Sequence, residues 1–173
     1  MLSTREMMLM PFDEVMLSRL QKRSSGRIRM FLFMLLKMPL GAFARLRVDR
    51  LDGEGCEVSL PAGWRTRNPF KSTYWAAQGM AAELSTGLGM YVHAQAAPVS
   101  IRTLVGKVSG EFVKPARSRV VFSCENLPDA VAALEETMRT QESVVCEMVS
   151  VGRDGDGDVI SRWIFAWSFK ASG

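Results

Sequence analysis

The sequence predicts an α+β fold in which one curved antiparallel sheet wraps around a single long, buried helix. Three observations carry the prediction. Residues 72 to 92 hold one charge, Glu83, among small, apolar and uncharged residues, which suits a helix enclosed on most sides. Segments before and after that stretch alternate apolar and polar positions with a period of two, the pattern of half-buried strands. The small side chains of Ala76, Ala77, Gly79, Ala81, Ala82, Ser85 and Gly87 let a sheet approach the helix closely.

Residues 11–23 set Val15, Met16 and Leu20 at helical spacing among charges and predict a first helix. A basic Ser-Ser-Gly linker at 22–27 leads into a second helix over 27–38, rich in Met, Phe and Leu. This helix reads either as an arm packed over the core or, with Lys22, Arg23, Arg27 and Arg29 beside it, as an arm lying on a membrane surface. Ala44, Leu46 and Val48 then face one way, and Arg45, Arg47 and Asp49 the other, which predicts a strand. Asp52-Gly53-Glu54-Gly55 is a hairpin turn, and Cys56, Val58 and Leu60 mark the returning strand. Asn68-Pro69 places a turn in the loop from Pro61 to Lys71.

The buried helix follows over about 72–91 and is expected to fray near Gly87, Gly89 or Pro98. Strands are expected over 99–114 and 117–125, separated by a turn at Pro115-Ala116. Asp129 is expected to cap a short helix that runs to about Thr140. A strand over 143–151, a tight turn at Asp154-Gly155-Asp156-Gly157 and a last strand from about Val159 to Phe169 follow. Trp163, Phe165, Trp167 and Phe169 share one face of that strand and are expected in the core. The expected division is an N-terminal helical arm over 1–39 and one sheet-and-helix domain over 40–173.

With 173 residues, 47% of them hydrophobic and 23% charged, the chain is long enough for one domain with a sizeable core. The net charge of +4 is uneven: residues 1–90 carry 13 Lys/Arg against 8 Asp/Glu, and residues 91–173 carry 9 against 10. This mild basicity suits a phosphorylated small ligand. It argues against nucleic acid, because no dense basic run with interleaved aromatics exists. Cys56, Cys124 and Cys146 are far apart in sequence and form no Cys-x-x-Cys, so free buried thiols are expected and no structural zinc. The first residues, with Glu6, Asp13 and Glu14 and no early apolar core, do not read as a secretory signal. The apolar run from Met30 to Leu36 is too short to span a bilayer, which leaves the cytoplasm as the expected compartment.

Several chemistries are excluded by pattern. No Gly-x-Ser-x-Gly is present, so a serine-hydrolase elbow is absent. His93 is the single histidine and lies ten residues after Glu83, about 15 Å along a helix. It is expected to be exposed and to stay outside any Ser/His or Cys/His pair. Asp154-x-Asp156-x-Asp158 lacks the Gly and Glu that a calcium loop needs, since Val159 and Phe165 stand there, and it reads as a solvated turn.

Glu83 is the chief functional candidate, because a carboxylate inside so apolar a helix is costly unless paired, protonated or used. Asn68 stands six residues before Tyr74 and Glu83 nine residues after it, and Glu111-Phe112-Val113-Lys114-Pro115-Ala116 follows on the strand-to-turn stretch. This arrangement resembles the hotdog-fold thioesterases over roughly residues 40–170. The nearest groups are the PaaI-type acyl-CoA thioesterases and, for the N-terminal arm, the DUF4442 group. The family's His-Gly-Gly at the helix start is Tyr74-Trp75-Ala76 here, a departure that the DUF4442 group shares. Trp75 in place of Gly implies either a rearranged pocket or weak or absent activity.

The resemblance implies a thioester hydrolase acting on acyl-CoA or an acyl carrier protein, with no cofactor. Glu83 would be general base or nucleophile, the Trp75 N–H would hold the oxyanion, and Asn68 would shape the loop or polarise the carbonyl. Thr73, Tyr74 and Ala76 would contact substrate. The family's site forms between two subunits, so a homodimer is implied, alone or paired into a tetramer. The alternative is a non-catalytic hotdog dimer that binds acyl-CoA or a lipid-like ligand, with Glu83 satisfied by a Ser or Thr across the dimer and Asn68 only a turn residue.

Overall fold

The computed structural model describes residues 11–24 and 26–172. The expectations built on Glu6 and on Ser25 lie outside the described residues. Among the described residues three helices come first: α1 (Glu14–Ser24), α2 (Arg27–Lys37) and α3 (Pro39–Ala44). Strands β1 (Arg47–Leu51) and β2 (Cys56–Leu60) precede the central helix α4 (Trp75–Ala96). Then come β3 (Ser100–Phe112), β4 (Val120–Cys124), α5 (Leu127–Thr140), β5 (Val144–Arg153) and β6 (Val159–Ser172). Among the described residues six strands form one antiparallel sheet in the order β1-β2-β4-β5-β6-β3. This is the α+β arrangement of a sheet curved around one helix.

Local chemistry explains the element ends. The Asp13 carboxylate accepts the Met16 N–H at 2.9 Å and closes the first turn of α1. Pro39 cannot continue α2, and it opens α3 instead, a position where its missing N–H costs nothing. Arg45, left-handed at φ 60°, ends α3. The first strand therefore begins at Arg47, not at Ala44, although the alternation in burial from Ala44 to Asp49 holds as expected. In α5, Leu127 rather than Asp129 opens the helix, and Asn126 is the capping position. The Asn126 side chain donates to Asp129 and to the Glu147 carbonyl and accepts the Val149 N–H, which ties α5 to β5.

The central helix starts three residues later than expected and runs five residues further. Ser72 and Thr73 belong to the preceding loop, where the Thr73 N–H donates to the Ala116 carbonyl at 2.7 Å. Gly87 and Gly89 do not fray the helix, because packing fixes them: a Cβ on Gly87 would lie 3.1 Å from the Trp167 indole, and one on Gly89 2.8 Å from Leu127. This close approach outweighs a helix penalty of about 1 kcal/mol per glycine. The continuation also corrects His93. It is buried, not exposed, with Nδ1 2.8 Å from the Gly89 carbonyl and its ring edge-on to Phe12.

Trp163, Phe165, Trp167 and Phe169 line the inner face of β6 against α4, as the pattern predicted. Cys56 and Cys124 face each other across β2 and β4 as free, buried thiols, and burial pushes Cys124 up to about 11. Cys146 is free and half-buried. In the Asp154 turn, the Lys114 ammonium sits 2.8 Å from Asp154 and 2.6 Å from Asp158. Among the described residues, no helix is long and apolar enough to cross a membrane.

At the hairpin before β2, the Asp52 carboxylate accepts the N–H groups of Glu54 and Gly55, both at 3.0 Å. Gly55 is pressed so tightly on β4 that a Cβ would fall 1.9 Å from the Cys124 carbonyl oxygen. Gly55→Ala must separate strands that are hydrogen-bonded to each other, and a loss of about 1–3 kcal/mol is expected, read as a lower midpoint in thermal unfolding.

The two sheet edges differ. β1 is five residues long, with α2 packed near it. β3 is 13 residues long and, among the described residues, pairs only with β6. On its helix-facing side Thr103, Val108 and Phe112 stand exposed. A long, unpaired, apolar edge is an open template for another strand.

Candidate active site

Two pockets flank α4. The first lies at its N-terminus and is built by the loop from Pro61 to Tyr74. Asn68 organises that loop: its Oδ1 accepts the N–H groups of Phe70 and Ser72 and the Ser72 hydroxyl, at 3.0, 3.2 and 3.2 Å. Two backbone donors fix the oxygen end of this amide inward and leave Nδ2 without an acceptor among the described residues. The Tyr74 N–H donates to the Thr66 carbonyl, and the Tyr74 carbonyl accepts from Ala77 and Gln78. The N–H groups of Trp75 and Ala76 have no partner among the described residues. They are the free donors that every helix start leaves, carrying the positive end of the dipole.

Asn68, Thr73 and Trp75 line one cavity here, of about 400 Å³, together with Phe112, Lys114 and Ala116. Tyr74 is exposed and meets Trp75 edge-on at 5.6 Å, and Ala76 is half-buried; neither lines the cavity. Sequence reasoning missed Gln78. It is buried, donates from Nε2 to the Thr73 carbonyl at 3.2 Å and accepts the Ser161 hydroxyl at 3.0 Å. The signal was available, since Gln78 is the one amide side chain in the first turns of an apolar helix.

The second pocket, of about 440 Å³, holds Glu83. Its walls come from Phe33, Lys37 and Met38, from Leu84, Gly87 and Tyr91 of α4, from Thr103 of β3 and from Trp167 of β6. The Trp167 indole N–H donates to the Thr86 hydroxyl at 3.1 Å, and that hydroxyl donates to the Glu83 carbonyl at 2.9 Å. A Cβ on Gly87 would lie 3.6 Å from Glu83 Oε1, so glycine leaves that flank of the carboxylate open. Neighbouring Ser85 turns away and meets Ser150 at 2.8 Å. Among the described residues the Glu83 carboxylate has no hydrogen-bond donor and no ion pair. Burial in this apolar chamber pushes it above the usual carboxylate range. A carboxylate raised in this way is a stronger base than an exposed one. Lys37 and Thr103 gave no sequence signal and Trp167 read only as a core aromatic, since the three are brought here from remote elements.

Within one chain the two clusters do not meet. Glu83 lies eight residues past Trp75, about 12 Å along the helix axis. The cations that could meet a phosphorylated ligand sort themselves by their partners. Lys114 is held by two aspartates, and Arg119 pairs with Asp49 at 2.6 Å. Arg65 lies over the Trp64 ring. Arg67, Lys71 and Arg117 line a cleft of about 270 Å³ that shares Ser72, Thr73 and Ala116 with the first pocket, and none of the three forms an ion pair among the described residues.

The sequence matches the domain of unknown function DUF4442 over residues 26–167. The chain belongs to the DUF4442 family. Its matched region begins beside α2, so the roof of the Glu83 chamber falls inside the DUF4442 domain. No curated protein matches this DUF4442 chain in sequence. Solved structures resemble it closely in shape and remotely in sequence. The Pseudomonas aeruginosa protein PA5026, described as of unknown function and a probable thioesterase, superposes with a TM-score of 0.70 at 14% identity, covering 87% of this chain and 99% of its own. A Chlorobaculum tepidum protein of unknown function gives 0.69 at 12%, covering 86% and 99%. The Haemophilus influenzae thioesterase HI1161 gives 0.59 at 12%, covering 81% and 88%. These likenesses establish the hotdog fold for the DUF4442 chain.

Proposed function

We propose that this DUF4442 chain is a thioesterase that works as a homodimer on acyl-CoA or a related thioester. The observation that carries the reading is Glu83, a carboxylate without a partner among the described residues, held above its usual range in an apolar chamber. The β3 edge supports the dimer. Antiparallel pairing of two such edges would continue the sheet and cover Val108 and Phe112. It would also let the free N–H groups at the start of one α4 approach the Glu83 of the other subunit.

In that site Glu83 takes a proton from water as the water oxygen bonds to the thioester carbonyl carbon. The oxyanion rests on the helix N-terminal N–H groups. The tetrahedral intermediate collapses, the C–S bond breaks, and the proton on Glu83 passes to the leaving thiolate. Direct attack by Glu83 would instead give a mixed anhydride that water then cleaves. Asn68 would hold the loop through Oδ1 and offer Nδ2 to the substrate, and Arg67, Lys71 and Arg117 would receive the CoA phosphates. The chemistry needs no cofactor and fits a cytoplasmic enzyme. That PA5026 and HI1161 are described as thioesterases agrees with it.

A second reading, a non-catalytic acyl-CoA-binding dimer, is favoured by the exposed Trp75 at the helix start. Thiol release from short, long and aromatic acyl-CoAs separates the two. The wild type is expected to release thiol, and a Val108→Arg variant, with a charge on the β3 face, is expected to run as a monomer without turnover. Tight acyl-CoA binding with no thiol release by the wild type would leave the second reading standing.

A further inference from the structure

Helix α2 is apolar on two opposite faces. Met30 and Met34 are buried in the core, with Phe33 half-buried beside them. On the other side Ile28, Phe31, Leu32, Leu35 and Leu36 recur at i, i+3, i+4, i+7 and i+8, and all five face solvent, from 45% exposed at Phe31 to 80% at Leu36. A surface helix of a globular domain carries polar side chains on that stripe. The patch continues into α3 through exposed Leu40 and Phe43, and Trp64 meets Phe43 edge-on at 5.8 Å. An exposed apolar surface this continuous marks a contact site.

The charge around it identifies the occupant. Between residues 19 and 47 the chain holds eight Lys/Arg and no Asp or Glu. Arg27, Arg45 and Arg47 border a cleft of about 300 Å³ that Ile28 and Phe31 also line, with Met30, Met34 and Val48 as its apolar wall. None of the three arginines forms an ion pair among the described residues. The Arg65 guanidinium lies over the rings of Trp64 at 4.6 Å and Phe43 at 5.7 Å, a cation at the aromatic end of the patch. An aliphatic stripe with an aromatic at one end and free guanidiniums at its margin matches a lipid surface with anionic headgroups. A second copy docking through the same patch would set these cations against their own kind, which opposes self-association here.

We infer that α2 and α3 form a docking face for an anionic lipid bilayer, with the stripe from Ile28 to Leu36 entering the acyl boundary and Arg27, Arg45 and Arg47 taking lipid phosphates. The inference stands on this surface alone and does not depend on hydrolysis at Glu83.

Co-sedimentation of the full chain with vesicles tests it. Binding is expected to vesicles of phosphatidylcholine mixed with phosphatidylglycerol, to fall at high ionic strength, and to be weak on phosphatidylcholine alone. Leu32→Ser with Leu36→Ser should abolish binding, and Arg27→Gln with Arg47→Gln should weaken it by about fivefold per arginine. Arg139→Gln, on α5, should leave it unchanged. All of these side chains are exposed, so the far-ultraviolet circular dichroism of each variant should match the wild type. Absence of binding to the anionic vesicles, or binding indifferent to both double variants, overturns the inference. So does a wild-type oligomer that the leucine variant dissociates without any lipid binding, since that assigns the face to a second copy.

Discussion

Glu83→Gln is expected to remove thioester hydrolysis while raising the stability of the fold at neutral pH. Loss of a general base lowers turnover by about 10²–10⁴-fold. The stability gain follows from burial. The chamber holds the Glu83 carboxyl above its usual range, so the folded chain keeps that proton to a higher pH than the unfolded chain does. Across the window between the two values the folded state binds more protons. Stability therefore falls as pH rises from the ordinary carboxylate range through the raised value. Glutamine has no proton to lose and escapes the fall. Melting temperatures of the two proteins should agree in acid and diverge above that window, with the variant higher. A variant that melts lower than the wild type at neutral pH would show that the assembled protein supplies the carboxylate with a donor. Unchanged turnover would remove Glu83 from the chemistry.

Trp167→Ala is the larger structural perturbation. The indole is buried, packs on Gly87 and donates to the Thr86 hydroxyl. Its removal leaves a cavity against a helix that cannot collapse, at about 3–5 kcal/mol by chemical denaturation. It also opens the Glu83 chamber to water, which relieves the cause of the raised carboxyl value, so the acidic limb of any pH–rate profile should move to lower pH. Trp167→Phe separates the two effects. It keeps most of the packing and gives up the hydrogen bond, at about 1 kcal/mol, and should leave the acidic limb in place. An unmoved limb in Trp167→Ala would mean that the indole does not dry the chamber.

What the sequence disclosed and what it hid follow from the range of the forces involved. The carboxylate of Glu83 inside an apolar helix, the aromatic face from Trp163 to Phe169 and the Asp52 and Asp154 turns are written in local pattern, and all stand in the fold. The order of strands and helices was legible for the same reason, apart from α3. That six-residue helix rests on Pro39 and on left-handed Arg45, not on any periodicity. The full length of α4 was hidden because Gly87 and Gly89 read as breakers until Trp167 and Leu127 are seen filling the space beside them. His93 was misjudged with it, because Phe12 covers it from a segment far away in sequence. Of the residues that the family resemblance singled out, Asn68, Thr73 and Trp75 line one cavity and Glu83 another. The walls around Glu83 were out of reach, since Lys37, Thr103 and Trp167 meet only after the sheet closes.

The two apolar faces of α2 bear on how the molecule can vary. Phe33, on its inner side, walls the Glu83 chamber, while Leu32 and Leu36 form its outer surface. One turn of helix thus belongs at once to the Glu83 chamber and to the outer hull. Leu32 and Phe33 are neighbours in the chain, so a change that reorients this turn of helix alters the hull and the chamber wall together. On the thioesterase reading proposed above, relatives in which this turn is repositioned should differ both in acyl preference and in how greasy their outer surface is, and selection on either trait would drag the other along.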